Sequence, residues 1–230
     1  MIVAIDGPAG AGKSSIARRL AERLGFQFLD TGAMYRAVAL AALRSGLGDG
    51  DADAIARLAN QLTIDMLHER TILNGEDVSA EIRTSEVSAA VYLAADNVAV
   101  RHRLVELQRQ IAAKRSTVTE GRDQGTVAFP QAECKVFLTA SPQERACRRH
   151  AELAARGEPI TLDEVLAQQA DRDRRDAARP VGALIKAPDA VEVWTDGLTP
   201  EAVIDRLEAI VRDRVQGSGF RVQNSPSPEL

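Results

Sequence analysis

The chain has 230 residues, of which 45% are hydrophobic and only 3% aromatic, and its net charge is −4. This length suits one α/β core with insertions, whose interior is built from Ala, Val, Leu and Ile. The weak acidic balance provides no overall basic field for nucleic acid, and no apolar segment approaches the roughly 20 residues of a membrane span. We therefore expect a cytoplasmic protein that binds neither nucleic acid nor membrane.

A phosphate-binding loop follows the first predicted strand. Residues 7–14 read GPAGAGKS and match G-x-x-x-x-G-K-[ST], between an apolar run at 2–5 and a helical pattern at 15–24. In this context the glycines let backbone N–H groups surround phosphate oxygens at the start of a helix. Lys13 would reach the β- and γ-phosphates, and the Ser14 hydroxyl would bind Mg²⁺. The alternative is a glycine-rich turn without a ligand, which the flanking strand and helix disfavour.

The next elements continue an alternation of strands and helices. Residues 26–29 are predicted to form a short strand and residues 34–45 a helix, as at the start of a doubly wound parallel sheet. Three later β-rich runs, at 116–120, 134–138 and 190–194, bring the predicted sheet to five strands.

The stretch after the second helix interrupts this alternation and indicates an insertion with its own small sheet. Residues 52–62 have helical periodicity, whereas residues 63–66 and 71–73 alternate as strands do, with an Asn-Gly turn after them. Residues 87–113 return to helical periodicity.

The second half of the chain contains a predicted helical hairpin, an aperiodic tail and two cysteines. Helical patterns at 146–155 and 162–174 flank a loop with glycine and proline, which indicates a moving lid. Residues 216–230 lack periodicity and are expected to be disordered. Cys134 and Cys147 match neither metal-ligand nor disulfide spacing, so we expect buried thiols.

Polar side chains follow two of the predicted core strands at one edge of the sheet. One strand precedes Arg122, which suits a bidentate phosphate contact, and Asp123, which can accept from an exocyclic amine. The other precedes Thr31, Tyr35 and Arg36. Singly, these residues are equally consistent with a salt-bridged turn, a helix cap or a solvated surface. Because ligands bind at the carboxyl ends of parallel strands, the loops together favour one nucleotide site.

The densest charged run, residues 171–179, follows the predicted lid. Arg172, Arg175 and Arg179 recur at i, i+3 and i+7, which places them on one face of a helix. Such a stripe can close over a transferring phosphoryl group, whose transition state spreads negative charge over its oxygens. The same run is equally consistent with a solvated helix face with i,i+4 ion pairs.

Six segments together carry a family pattern: DGPAGAGKSS (6–15), LDTGAMYRA (29–37), LNGEDVSAEIR (73–83), EGRDQGTVAFP (120–130), KVFLTASPQERACRR (135–149) and RDRRDAAR (172–179). With them the chain, from the first strand to about residue 212, closely resembles the bacterial-type cytidylate kinases. The resemblance implies an α/β fold of the P-loop nucleoside monophosphate kinase type. In it, a five-stranded parallel sheet flanked by helices carries an inserted monophosphate-binding domain and a helical lid.

The resemblance also implies a division of the chain. The core would comprise residues 1–46, 107–150 and 180–215. The monophosphate-binding insertion would span residues 47–106 and the lid residues 151–179, with a disordered tail at 216–230.

The implied activity is transfer of the γ-phosphoryl group of ATP to CMP and dCMP, with Mg²⁺, in pyrimidine nucleotide metabolism. We expect a monomer whose partners are these nucleotides. The implied ATP site is Gly7, Pro8, Ala9, Gly10, Ala11, Gly12, Lys13, Ser14 and Ser15. The implied CMP site is Thr31, Tyr35, Arg36, Tyr92, Arg101, Arg122, Asp123, Arg172, Asp176 and Arg179. The implied catalytic residues are Lys13, Arg122, Arg172, Arg175 and Arg179.

The resemblance gives separate roles to the CMP-site residues. It implies phosphate contacts for Arg36, Arg122 and Arg179. It implies cytosine contacts for Arg101 and Asp123, and ribose contacts for Arg172 and Asp176.

The chain departs from the family pattern at three positions. Tyr92 stands where a serine that touches the base or sugar is usual, Gln124 replaces an aliphatic residue, and Ala178 replaces a frequent asparagine. These departures affect the order in which CMP, dCMP and UMP are preferred as substrates. They leave the phosphate ligands unchanged.

Three alternative functions are distinguishable. A kinase of another small acceptor, such as shikimate, would keep the loop and lid without Arg101, Arg122 and Asp123. A regulatory GTPase would need a guanine-binding N-K-x-D segment, which the sequence lacks. An inactive relative would have lost Lys13 or the lid arginines, and this chain retains them.

Overall fold

The computed structural model describes residues 1–67 and 70–218. Within these residues the central sheet has five parallel strands: β1 (Ile2–Asp6), β2 (Gln27–Asp30), β6 (Thr117–Gly121), β7 (Cys134–Thr139) and β8 (Val191–Trp194). Their order is β2-β6-β1-β7-β8. The predicted five-stranded parallel sheet is confirmed, and each strand boundary lies within one residue of its predicted position.

Helices cover both faces of this sheet. They include α1 (Lys13–Leu24), α2 (Thr31–Arg44), α6 (Val98–Ala112) and the C-terminal α9 (Pro200–Ser218). One apolar cluster joins the sheet to α1 and α9 through side chains such as Ile5, Leu20, Leu138, Ile204 and Leu207. Burial of these branched side chains holds α1 against the sheet. It thereby positions the phosphate-binding loop that precedes α1.

The insertion contains a second, antiparallel sheet. Its helix α3 (Ala52–Gln61) precedes β3 (Ile64–Leu67), β4 (Arg70–Leu73) and the short β5 (Glu76–Asp77), which pair in the order β3-β4-β5. A separate apolar cluster, with Met34, Val38, Ile55, Ile82 and Leu104, joins this region to α2 and α6.

The helical periodicity predicted for 87–113 is confirmed, and the structure divides this stretch into three helices: α4 (Ser85–Ala90), α5 (Tyr92–Ala95) and α6. The break before α6 has a local cause, because Asn97 is extended and its side chain accepts from the backbone N–H groups of Ala99 and Val100. An asparagine in this position starts a new helix.

The helical hairpin consists of α7 (Pro142–Ala155) and α8 (Leu162–Ala178). The two helices pack through Ala146, Leu153 and Val165. At the tip, the Ser85 hydroxyl donates to the Glu158 carboxylate over 2.8 Å. The tip of the hairpin therefore contacts the start of α4.

Two smaller predictions need correction. Cys134 is buried, as predicted, but Cys147 is exposed on α7. Residues 216–218, expected to be disordered, lie within α9, and the rest of the predicted tail lies outside the described residues. In the part of the chain that the structure describes, no helix has the length and apolarity needed to cross a membrane.

Candidate active site

A cavity of about 430 Å³ opens at the carboxyl edge of β1, β2 and β6, below the hairpin. Lys13 and eight arginines line it, against five carboxylates. The arginines are Arg36, Arg83, Arg101, Arg122, Arg149, Arg156, Arg172 and Arg179. This excess of cations suits a ligand that carries several negative charges.

The phosphate-binding loop needs glycine where it crosses β7. A Cβ atom on Gly7 would lie 1.9 Å from the carbonyl oxygen of Leu138, and the φ of Gly7 is +153°. Gly12, at φ +84°, turns the chain into α1. The predicted loop residues that line the cavity are Ala9, Gly10, Gly12, Lys13, Ser14 and Ser15, whereas Gly7, Pro8 and Ala11 do not line it. The loop therefore presents the first turn of α1 to the cavity.

Lys13 is buried at the floor of the cavity. Its Nζ donates to the carbonyl oxygen of Pro8 over 2.7 Å. Burial, together with the nearby Arg122, lowers the pKa of Lys13 to about 7, although Glu120 and Asp6 favour its charged form. A bound phosphate would add negative charge beside Lys13 and raise its pKa again.

Glu120 is a further site residue, to which the sequence alone gave no role. It is the penultimate residue of β6, is buried, and its carboxylate accepts from the Ser14 hydroxyl over 2.8 Å. Burial and the neighbouring Asp30 raise its pKa, with Lys13 and Arg122 opposing the shift. A hydroxyl and a carboxylate are hard oxygen ligands, so Ser14 and Glu120 fit Mg²⁺.

Two of the predicted phosphate ligands meet at Asp176 of α8. The Asp176 carboxylate accepts from Arg122 Nε over 2.7 Å and from Arg179 Nη2 over 2.6 Å. Burial opposes ionisation of Asp176, but Arg122 and Arg179 outweigh it and hold its pKa below the usual range. The hairpin thus brings Arg179 and the strand-end Arg122 to one side of the cavity.

Two further predicted site arginines, Arg36 and Arg172, approach the cavity from different elements. Arg36 of α2 donates to the Ser88 hydroxyl over 2.6 Å, and burial next to Arg83 lowers its pKa. Burial beside Arg122 lowers the pKa of Arg172 to about 10. Crowded guanidinium groups of this kind indicate a site that an anion completes.

A second corner of the cavity combines Arg101, Asp123 and Tyr35. Arg101 Nη2 lies 2.5 Å from Asp123 Oδ2, and the guanidinium carbon lies 5.3 Å from the centroid of the Tyr35 ring. Among the described residues, Arg101 Nε and the Tyr35 hydroxyl are buried without a hydrogen-bond partner. Buried donors without a partner indicate a ligand whose atoms accept hydrogen bonds from them.

The structure does not bring Tyr92 or Arg175 to this cavity. Arg175 is exposed on α8 and lies over the Tyr92 ring at 5.9 Å, and the Tyr92 hydroxyl donates to Asp49 over 2.8 Å. Of the predicted stripe, Arg172 and Arg179 line the cavity and Arg175 does not. Arg175 lies within α8, next to the buried Asp176, and its guanidinium group packs on Tyr92 instead.

Comparison with known proteins identifies the family. The family model described as Cytidylate kinase matches residues 3–213. A cytidylate kinase from Rhodopirellula baltica is 49% identical over 225 residues, covering 98% of each chain. One from Mycobacterium leprae is 49% identical over 215 residues, covering 93% of this chain and 96% of its own. The chain belongs to the cytidylate kinase family.

The solved structures add a likeness of fold. An uncharacterized protein from Eubacterium ventriosum has a TM-score of 0.51 and 14% identity, covering 92% of this chain and 98% of its own. At that identity the likeness concerns the fold alone. The match to the cytidylate kinase family spans the elements that line the cavity, including the insertion and the hairpin.

Proposed function

We propose that this protein transfers the γ-phosphoryl group of ATP to CMP and dCMP, giving ADP and CDP or dCDP. One observation carries the proposal: a single cavity is lined by Lys13 of the phosphate-binding loop, by Arg36, Arg122 and Arg179, and by Asp123. These residues are distant in sequence, so a shared cavity needs the whole fold.

The proposed reaction needs no general base. A phosphate oxygen of CMP is already a nucleophile, so catalysis consists of aligning donor and acceptor and neutralising charge. We assign the β- and γ-phosphates to Lys13, and the CMP phosphate to Arg36, Arg122 and Arg179. Arg172 and Asp176 are proposed to hold the ribose.

The proposed cofactor is Mg²⁺, held by Ser14 and Glu120 together with phosphate oxygens of ATP. When bound, it would neutralise charge on those phosphates. In the described residues there is no cluster of three or more His, Cys, Asp or Glu side chains that could hold a metal alone. A metal shared with the nucleotide suits this sparse donor set, because Mg²⁺ commonly binds through one or two carboxylates and substrate phosphates.

Recognition of cytosine is assigned to the corner with Arg101, Asp123 and Tyr35. Asp123 Oδ2 accepts from Arg101, and we assign Oδ1 to the N4 amine of cytosine. Uracil has an oxygen at that position, so two acceptors would face each other, at a penalty of roughly 1–3 kcal/mol. The buried Arg101 Nε and Tyr35 hydroxyl suit the acceptor atoms of the pyrimidine.

We also propose that residues 47–106 act as the monophosphate-binding insertion and residues 151–179 as the lid. Contact between Ser85 and Glu158 supports a closed arrangement in which the two meet over the cleft. Closure would exclude water that otherwise accepts the phosphoryl group. The monomeric state and the cytoplasmic location remain predictions.

The experiment is a coupled assay of ADP formation with CMP, dCMP, UMP, AMP and shikimate as acceptors, each at several concentrations with ATP and Mg²⁺. The proposal predicts the highest kcat/KM with CMP or dCMP, with CDP or dCDP as the phosphorylated product by chromatography. Preference for AMP or shikimate, or ADP formation independent of acceptor, would contradict it.

A further inference from the structure

The segment that follows α8 folds back over the cytosine corner. It begins where Arg179 leaves the helix in an extended conformation. The backbone N–H of Leu184 then donates to the carbonyl oxygen of Asp176 over 2.9 Å, which returns the chain to the end of α8. Gly182, in the middle of this return, is buried at φ +71°.

Gly182 lies directly against the pair formed by Arg101 and Asp123. A Cβ atom on Gly182 would lie 1.8 Å from Arg101 Nη2 and 2.4 Å from Asp123 Oδ2. The Gly182 carbonyl oxygen accepts from Arg101 Nη2 over 3.4 Å. Even the smallest side chain would therefore overlap both members of the pair.

The pair has little freedom to move away. The side chains of Arg101 and Asp123 are only 4% and 3% exposed. Arg101 Nη1 donates to the carbonyl oxygen of Ala95 over 2.9 Å, and the guanidinium group lies over the ring of Tyr35. An added side chain would thus have to displace the two charged groups from each other or push the segment outward.

We propose that Gly182 determines base specificity: its lack of a side chain lets the segment after α8 cover Arg101 and Asp123 and hold them where they distinguish an amino from an oxo group on a pyrimidine. The inference rests on the proposed function, because it presumes that this pair contacts the base. Gly182 is a positioning residue, since it acts through Arg101 and Asp123.

The arrangement also connects base recognition to the phosphate side of the cavity. The Asp176 carboxylate accepts hydrogen bonds from the guanidinium groups of Arg122 and Arg179. The backbone carbonyl oxygen of Asp176 accepts from the N–H group of Leu184. The same turn of α8 therefore holds two proposed phosphate ligands and the segment that carries Gly182. Selection of the base and closure of the lid would depend on one structural unit.

The experiment compares Gly182→Ala with Gly25→Ala. Gly25 ends α1 at φ +65°, and a Cβ atom there meets nothing within 4 Å. Both substitutions impose the same left-handed backbone strain, but only Gly182→Ala adds an overlap at the proposed base-binding pair. The kinetic constants for CMP, UMP and ATP and the melting temperature are measured for both variants and the parent protein.

Gly182→Ala is expected to lower kcat/KM for CMP by about tenfold or more, with a loss for UMP of no more than about threefold. The KM for ATP should stay within about twofold, as should every kinetic constant of Gly25→Ala. Equal losses for CMP and UMP, or an unchanged preference, would overturn the inference.

A second variant covers the case in which Gly182→Ala does not fold. Leu184→Pro removes the N–H group that donates to Asp176 and frees the segment without adding atoms at the pair. It should also reduce the preference for CMP over UMP, and an unchanged preference would refute the inference. Absence of CMP turnover in the parent protein would instead refute the proposed function.

Discussion

Lys13 is the residue on which the proposed chemistry depends most. It is buried, and its position beside Arg122 already disfavours its charge. Its substitution should therefore remove little stability, while the transferring phosphoryl group loses its nearest cation.

Lys13→Ala is predicted to lower kcat by on the order of 10³ or more with a melting temperature within a few degrees of the parent. Lys114→Ala, at an exposed lysine, is the matched control and should retain full activity. Coupled-assay kinetics and thermal unfolding test both variants. Residual Lys13→Ala activity within about tenfold of the parent would remove Lys13 from the mechanism.

Asp123 tests how the base is recognised. Asp123→Ala removes the carboxylate that we assign to the N4 amine, so kcat/KM should fall about tenfold to a hundredfold more for CMP than for UMP. Steady-state kinetics with both nucleotides measures the difference. Equal loss for both would refute the assignment.

The buried carboxyl group of Asp6 gives a prediction for how the stability of the protein depends on pH. Its carboxylate accepts from the backbone N–H groups of Gln124 and Gly125 over 2.8 and 2.7 Å. Burial nevertheless raises its pKa to about 6, with the nearby Asp123 adding to the rise and Lys13 opposing it. Because the folded protein then holds this proton more tightly than the unfolded chain, the contribution of Asp6 to stability is present below about pH 4 and is lost as the pH rises through 6.

Chemical denaturation of the parent protein and Asp6→Asn at pH 4.5 and 7.5 tests this sign. The free energy of unfolding of the parent, relative to the variant, should be greater at pH 4.5 than at pH 7.5 by up to about 2 kcal/mol. A relative stability that rises with pH would contradict the raised pKa.

The sequence alone predicted the roles of some site residues and not of others. The arginines and Lys13 lie in motifs whose residue types match phosphate chemistry. Glu120 could not be assigned in this way, because its contact with Ser14 depends on the parallel register that sets Ile5 beside Glu120. Arg175 does not line the cavity, because its place on α8 brings it to the Tyr92 ring, a contact between distant segments that helical periodicity does not indicate.

At the scale of elements, the core strands were predictable because each is a short run rich in β-branched, aromatic or other apolar residues. The division of residues 87–113 into three helices was not predictable, since apolar periodicity continues across the cap at Asn97. The π-helix at Gln124–Ala128 also has no local signature. Its first backbone N–H groups are held by Asp6, which is 118 residues away from Gln124 along the chain.

The hairpin supplies a prediction at the same scale. Arg179 follows α8, pairs with Asp176 and Asp96, and lines the cavity. Arg179→Ala should raise the KM for CMP about tenfold or more while the KM for ATP changes little. Arg174→Ala removes an exposed arginine of α8 that pairs with Asp171 and should leave both constants unchanged.

The two Arg179 and Arg174 variants are compared by varying CMP at saturating ATP, and ATP at saturating CMP. An unchanged KM for CMP in Arg179→Ala would take Arg179 out of the acceptor site. A matching rise in Arg174→Ala would instead attribute the effect to the net charge of the hairpin.

At the scale of the whole molecule, the cavity exists because two apolar clusters hold different parts of its wall. The cluster of the sheet with α1 and α9 carries the phosphate-binding loop, and the cluster around α2 and α6 carries Arg36 and Arg101. The sequence indicated the loops that would meet at the sheet edge. It could not indicate the approach of Gly182 to Arg101 and Asp123, which depends on the path of the chain after α8.

The most direct measurement is a crystal structure of the protein with CMP and a non-hydrolysable ATP analogue. We predict that the CMP phosphate lies within hydrogen-bond distance of Arg36, Arg122 and Arg179, that the N4 amine faces Asp123, and that the analogue's terminal phosphate contacts Lys13. Bound CMP outside this cavity, or a base turned away from Asp123 and Arg101, would contradict it.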